Sequence, residues 1–208
     1  MSPKSVLYEK AGAIAMLTIN QIQAKAVGAP GLGQDCLQAL DKCAQDAQVR
    51  LLLFTDLGDQ FFTGFQAPEI AEENTEDVVA EIADQICQLP QPVLAGVGGS
   101  ASGAGFELLL ACDLVLASTE ATFQPTEPST RRRTGQTGIT RLINLVGTRQ
   151  ATALLLFNPR LSAQEAWGMG LVNRVVAEDV LIEETWNWAE KLVRAPQGYL
   201  QEIKAHLP

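Results

Sequence analysis

Histidine is nearly missing from this chain of 208 residues: the only one, His206, stands close to the end. A Ser-His-Asp or Cys-His nucleophilic site would have to use that residue, and a histidine-rich zinc site has nothing to draw on. Acid–base work at neutral pH therefore falls to Asp, Glu, Lys, Tyr or Cys. The four cysteines, Cys36, Cys43, Cys87 and Cys112, form no CxxC pair and stand among apolar residues. They are expected as small core residues in a reducing compartment. Long apolar runs are missing too. None approaches a membrane span, and Met1 to Glu9 lacks the apolar core of a signal peptide, which predicts a soluble, cytoplasmic protein. Basic charge is scarce: 15 Lys and Arg against 24 Asp and Glu leave a net charge of −9. Such a chain is a poor general partner for nucleic acid or anionic membrane, and its only basic cluster is Arg131-Arg132-Arg133.

What is present suits one domain with a sizeable core, since 47% of the residues are hydrophobic. Val6 to Glu9 and Ala13 to Ile19 predict two short strands around a turn at Ala11-Gly12. Leu51 to Thr55 and Val93 to Val97 are continuous apolar runs, as in strands covered on both faces. Asp113 to Ala117 and Val172 to Val176 predict further strands. Helical spacing recurs over Leu32 to Ala47, Asp77 to Leu89, Ile139 to Leu145, Arg149 to Leu156, Ala163 to Trp167 and Leu181 to Val193. Ser102 to Ala111 reads as a buried helix, and Gln124 to Gly138 reads mostly as loop. Alternating strands and helices predict an α/β layered fold with parallel strands, with ligands beyond their carboxyl ends.

One segment stands out. The apolar run Val93 to Val97 ends in Gly98-Gly-Ser-Ala-Ser-Gly-Ala-Gly105, which opens a stretch carrying Glu107; Glu127 follows twenty residues later. No GxGxxG and no GxxxxGK occur there, which disfavours nucleotide binding. Gly99-Ser-Ala101-Ser-Gly103 has Ala where a nucleophile elbow needs Ser. Two readings of Gly103-Ala104-Gly105 remain: small residues that let a ligand carbonyl approach the backbone, or close packing of a helix against the sheet.

Pro92 to Phe123 closely resembles the second signature of the crotonase (enoyl-CoA hydratase/isomerase) superfamily. Pro92-Val-Leu-Ala-Gly-Val-Gly-Gly, Ala101, Gly103-Ala104-Gly105, Glu107-Leu-Leu-Leu-Ala-Cys-Asp113, Ala117, Ala121 and Phe123 match it without a gap. Phe61-Phe-Thr-Gly64-Phe65-Gln66 is similar to the first signature, more loosely. Gly138-Ile-Thr-Arg-Leu-Ile-Asn-Leu-Val-Gly147 and Leu161-Ser-Ala-Gln-Glu-Ala-Trp-Gly-Met-Gly-Leu-Val-Asn173 are similar to downstream family stretches.

The resemblance implies a crotonase-like ββα spiral over residues 1–195, with residues 196–208 opening a shortened C-terminal helical region. It implies a hydratase or dehydratase that adds or removes water across an α,β-unsaturated acyl thioester. The backbone N–H groups of Phe65 and Ala104 would form an oxyanion hole, and Glu107 with Glu127 would move the protons. Gly64, Gln66, Gly103, Gly105 and Arg131 would line the substrate. Either glutamate fits the role of acid or of base, because such a pair titrates as a unit. No cofactor or metal is implied beyond the thioester substrate, and a homotrimer or hexamer is. Departures from the family open alternatives. Leu17-Thr-Ile-Asn20-Gln lacks the Arg-Pro that follows this strand in relatives, and Gln66-Ala67 replaces an acidic residue. Both changes point to acyl carrier protein as an alternative to CoA, and to a polyketide-type dehydratase, decarboxylase or isomerase, or a non-catalytic thioester binder, as alternative functions. Arg131-Arg132-Arg133 reads as a contact for a phosphate or an acidic carrier helix, or as a solvated run.

Overall fold

Leu51–Leu57 (β3) and Val93–Val97 (β5) are parallel neighbours in the middle of a sheet. Their lack of alternation follows from that position, because a central parallel strand is covered on both faces. The computed structural model describes residues 6–20, 31–57, 60–61, 75–126, 134–196 and 198–206. Within them, six strands run in the order β1 (Val6–Ala11), β2 (Ile14–Asn20), β3, β5, β7 (Leu114–Ser118) and β10 (Arg174–Val176). All pairings in this sheet are parallel except the β1–β2 hairpin, which turns at Gly12 with φ 61°.

A second sheet joins four very short strands in the order β4 (Gln60–Phe61), β6 (Ser100–Ser102), β8 (Thr122–Gln124) and β9 (Leu161–Ser162). The first three are parallel and β9 is antiparallel to β8. Helix α1 (Leu32–Gln45) follows β2, and α2 (Thr75–Gln88) follows β3 and β4. Helix α3 (Ala104–Leu109) follows β5 and β6, and α4 (Gln136–Val146) follows β7 and β8. The first turn lays a hairpin in the large sheet and then α1; from β3 to α4 each turn lays one strand in each sheet and then one helix, which is the ββα spiral expected.

The large sheet divides the core in two. Leu17, Ile19, Leu52, Phe54, Val93 and Ala95 pack with Leu40, Ile82, Ile86 and Phe106 of α1, α2 and α3. Their odd–even neighbours Leu51, Leu53, Leu94 and Leu116 face the other way, onto Leu181, Trp186 and Ala189. After α5 (Thr148–Phe157) and α6 (Ala163–Gly168), those residues form α7 (Leu181–Val193), whose apolar stripe covers the second face. Arg50 holds the C-terminal end of α7, donating to Val193 O at 2.7 Å and Pro196 O at 2.9 Å. The last helix, α8 (Tyr199–Lys204), is tied down by a buried ammonium: Lys204 Nζ donates to Ile86 O at 2.9 Å and Gln91 O at 3.1 Å and pairs with Asp113 at 2.8 Å.

Three expectations need correction. The helix read over Ser102 to Ala111 is shorter, because Ser100–Ser102 pairs as β6 and the helix proper is Ala104–Leu109. Gln124 to Gly138 is not all loop at its ends: β8 reaches Gln124, and α4 starts at Gln136. Cys36 and Cys43 are core residues, but Cys87 is exposed and Cys112 half-buried. Ile86, one place before Cys87, takes the core-facing position on α2, and Cys87 is left at the margin with its thiol on Ala111 O at 3.7 Å.

Candidate active site

The glycine-rich turn lies where β6 passes into α3. Gly103 caps that helix with φ 52° and ψ −110°, a backbone that only glycine adopts readily. Its N–H donates to Gln124 O at 3.2 Å, so the β6–β8 pairing continues into the turn. Helix geometry leaves the N–H groups of Ala104, Gly105 and Phe106 in the first turn, where no intrahelical acceptor exists. Ala104 and Gly105 are buried, as the close-packing reading of this turn expects.

Glu107 follows in the same turn and is 2% exposed. A carboxyl buried this deeply is costly unless polar groups meet it. Gly135 N–H donates to its Oε2 at 3.2 Å, and Gly135 is the N-cap of α4. The carboxylate therefore sits at the start of a second helix, where the backbone dipole favours an anion. Two glycines shape the space it occupies. A Cβ at Gly135 would lie 3.0 Å from Glu107 Oε1, and one at Gly138 would lie 3.1 Å from its Cγ and 3.2 Å from its Cδ. A Cβ at Gly138 would also come within 2.4 Å of Thr134 Cγ2.

Thr134 is buried and its hydroxyl donates to Pro125 O at 3.0 Å. The chain therefore leaves β8 and returns to α4 at adjoining points, and the returning end meets Glu107. Glu127 lies between them, outside the described residues, as do Gly64, Phe65, Gln66 and Arg131. Of the residues singled out from the sequence, the structure brings together Gly103, Ala104, Gly105 and Glu107. Sequence reasoning did not single out Gly135 or Thr134, nor Gly138 as a wall of the site. The Gly-x-x-Gly spacing of 135 and 138, opposite a buried acid, was the available signal.

Among the described residues, a cavity of about 350 Å³ opens between the large sheet and α7, lined by Met16, Leu53, Gly96, Leu181, Thr185 and Trp186. It belongs to the α7 face of the sheet, whereas α3 packs on the opposite face, so it is not the space around Glu107. No group of three or more His, Cys, Asp or Glu forms a metal cluster among the described residues, and none of their helices is long and apolar enough to cross a membrane.

Residues 9–208 match the family described as enoyl-CoA hydratase/isomerase. The chain belongs to that family. Its fold agrees: an enoyl-CoA hydratase from Bacillus anthracis superposes with a TM-score of 0.86 at 27% identity, covering 97% of this chain and 81% of that one. A monofunctional enoyl-CoA isomerase from M. smegmatis superposes at 0.81 with 26% identity, covering 98% of this crotonase and 91% of the isomerase. In sequence, a short-chain-enoyl-CoA hydratase from Clostridium acetobutylicum is 32% identical over 93% of the crotonase chain and 77% of its own length. These relatives are named as enoyl-CoA hydratases and an enoyl-CoA isomerase.

Proposed function

We propose that this crotonase hydrates an α,β-unsaturated acyl thioester, or dehydrates the 3-hydroxyacyl product, through a glutamate pair and a backbone oxyanion hole. The observation that carries the reading is the buried Glu107 carboxylate, hydrogen-bonded by Gly135 N–H beside the small-residue turn. Attack of water at the β-carbon moves charge onto the thioester carbonyl oxygen. The N–H groups of Ala104 and Phe65 meet that charge, and loss of one such donor costs about 3 kcal/mol of transition-state stabilisation. One carboxylate takes a proton from water while the other carboxylic acid delivers a proton to the α-carbon; Glu107 and Glu127 share these roles as a pair. The Gly135 N–H fixes one carboxylate oxygen of Glu107 and so orients the group beside the turn. No metal or organic cofactor enters the scheme, and CoA is the carrier favoured by the hydratase relatives.

Isomerisation is the second reading, favoured by the likeness to the mycobacterial isomerase. It moves a double bond with the same oxyanion hole and needs only one carboxyl to shuttle a proton. The two readings separate on incubation with a short 2-enoyl-CoA. Hydration consumes the conjugated enoyl absorbance and yields 3-hydroxyacyl-CoA; isomerisation interconverts 2- and 3-enoyl esters with no gain of water. Loss of hydration in Glu107→Gln is expected, and a Glu107→Gln enzyme that hydrates at the wild-type rate would remove the residue from the mechanism.

A further inference from the structure

Asn158 is the one non-glycine residue with positive φ among the described residues, at φ 46° and ψ 48°. It ends α5 in the left-handed region, which asparagine tolerates better than other L residues with side chains. Its carboxamide is directed at a single residue. Asn158 Oδ1 accepts from Thr126 N–H at 2.8 Å, and Asn158 Nδ2 donates to Thr126 O at 3.4 Å. Its own carbonyl accepts from Gln124 Nε2 at 2.9 Å. One side chain thus takes both backbone polar groups of Thr126, as a neighbouring strand would.

The register explains why a side chain is needed there. β8 and β9 pair antiparallel, with Thr122 opposite Ser162 and Phe123 opposite Leu161. Continued, that register sets Gln124 opposite Arg160, Pro125 opposite Pro159 and Thr126 opposite Asn158. Two prolines facing each other supply no N–H to either strand, so the ladder stops. Thr126 would then leave β8 unheld, and it is the residue immediately before Glu127.

We infer that Asn158 is a positioning residue for Glu127, replacing the broken β8–β9 ladder with a two-bond carboxamide bridge to Thr126. This inference rests on the proposed role of Glu127 in proton transfer. It reaches beyond that role because Asn158 acts through the backbone of Thr126. Thr134, which bonds Pro125 O at 3.0 Å, holds the returning end of the same segment from the other side.

Asn158→Gly is the clean perturbation, because glycine keeps the left-handed backbone and loses only the carboxamide. Hydration of a short enoyl-CoA is expected to lose about 10-fold or more in kcat, with KM changed less than about twofold, as fits a misplaced catalytic group. Asn158→Asp keeps the acceptor for Thr126 N–H and is expected to retain most of kcat. The same Asn158→Gly change in a Glu127→Gln background is expected to cost nothing further. Wild-type kcat in Asn158→Gly, or an equal loss in both backgrounds, overturns the inference. Amide exchange at Thr126 separates it from the functional reading: fast exchange in Asn158→Gly with full activity in Glu127→Gln keeps the bridge but refutes Glu127 as its catalytic beneficiary. Slow exchange in Asn158→Gly refutes the bridge itself.

Discussion

Replacing Gly138 by alanine tests whether this glycine is there for Glu107. The residue is buried in the first turn of α4, and its φ is unremarkable, so backbone strain does not enter. The new methyl group would meet Thr134 Cγ2 at 2.4 Å and Glu107 Cγ and Cδ at 3.1 and 3.2 Å. Both neighbours are buried, so neither has a free path to withdraw. Overpacking of this kind costs about 1–3 kcal/mol. Alanine returns up to about 1 kcal/mol of helix propensity. The net loss of roughly 1–2 kcal/mol corresponds to a fall of about 3–6 °C in melting temperature for a chain of this size. Thr134→Ser then supplies the control. It deletes the atom at 2.4 Å and keeps the hydroxyl that bonds Pro125 O, at a cost of about 0.8 kcal/mol for one buried carbon. In the Gly138→Ala/Thr134→Ser protein the two losses should not add; most of the stability should return, as a double-mutant cycle on chemical denaturation would read. Activity should recover less than stability, because the contacts to Glu107 remain. Additive losses, or a Gly138→Ala protein as stable as the wild type, would show that the pocket relaxes freely and that Gly138 does not shape the acid.

The anchor of α8 makes a second prediction. Lys204 and Asp113 form a buried pair with side-chain exposures of 6% and 15%, so Lys204→Met should destabilise by about 3 kcal/mol or more, and adding Asp113→Asn should restore part of it, since the amide oxygen still accepts from Val93 N–H; equal stability of wild type and Lys204→Met would refute this. A third concerns alkaline pH. Burial pushes the Cys43 thiol up to about 11 and the Tyr8 phenol up to about 12, and raises Cys36 as well. Groups whose folded pKa is raised contribute stability that is complete below the unfolded value, near 9 for a thiol, and is lost as pH climbs towards the folded value. The denaturation midpoint should therefore fall between pH 9 and 11, and fall less steeply in Cys43→Ala; identical slopes would remove Cys43 from the effect.

The parts of the fold that were legible are those with long periodic patterns. Val93–Val97 and Leu181–Val193 match their expected bounds, because a both-faces-covered strand and an amphipathic helix each leave a pattern several residues long. The small sheet was not legible, since its strands have two or three residues and Ser100–Ser102 is polar and small. At α4, Gly135 and Gly138 depress helix propensity, and the sequence reads as loop up to the point where periodicity resumes at Ile139. Space for Glu107 outweighs propensity there. At the site, Glu107 stood out through its signature, whereas its donor Gly135 N–H is a backbone group with no residue type to announce it. Asn158 was hidden for a related reason: its partner is the backbone of Thr126, set by a register that only the folded pair β8–β9 defines.

The spacing of the candidate groups along the chain follows from the spiral. β4, β6 and β8 are successive parallel neighbours, so Phe61, Ala101 and Phe123 lie in one row, and Ser102 and Gln124 in the next. The segments that leave these strand ends carry Gly64-Phe65, Gly103-Ala104 and Glu127, one piece of the proposed site from each turn. Glu107 is added by going four residues past Gly103, one turn of α3, to the place where the start of α4 meets it. Short strands hold such an arrangement only if their register is fixed, because a slip of one residue turns every side chain to the opposite face. Here buried side chains fix it: Ala101, Phe123 and Leu161 occupy the same row on three neighbouring strands and are all enclosed. Moving that row by one position would put Thr122 or Gln124 in the place of Phe123 and carry Gly103 away from Gln124 O. The packing of the small sheet and the placement of the chemistry are therefore one constraint, which is why a sheet of so few residues specifies the site.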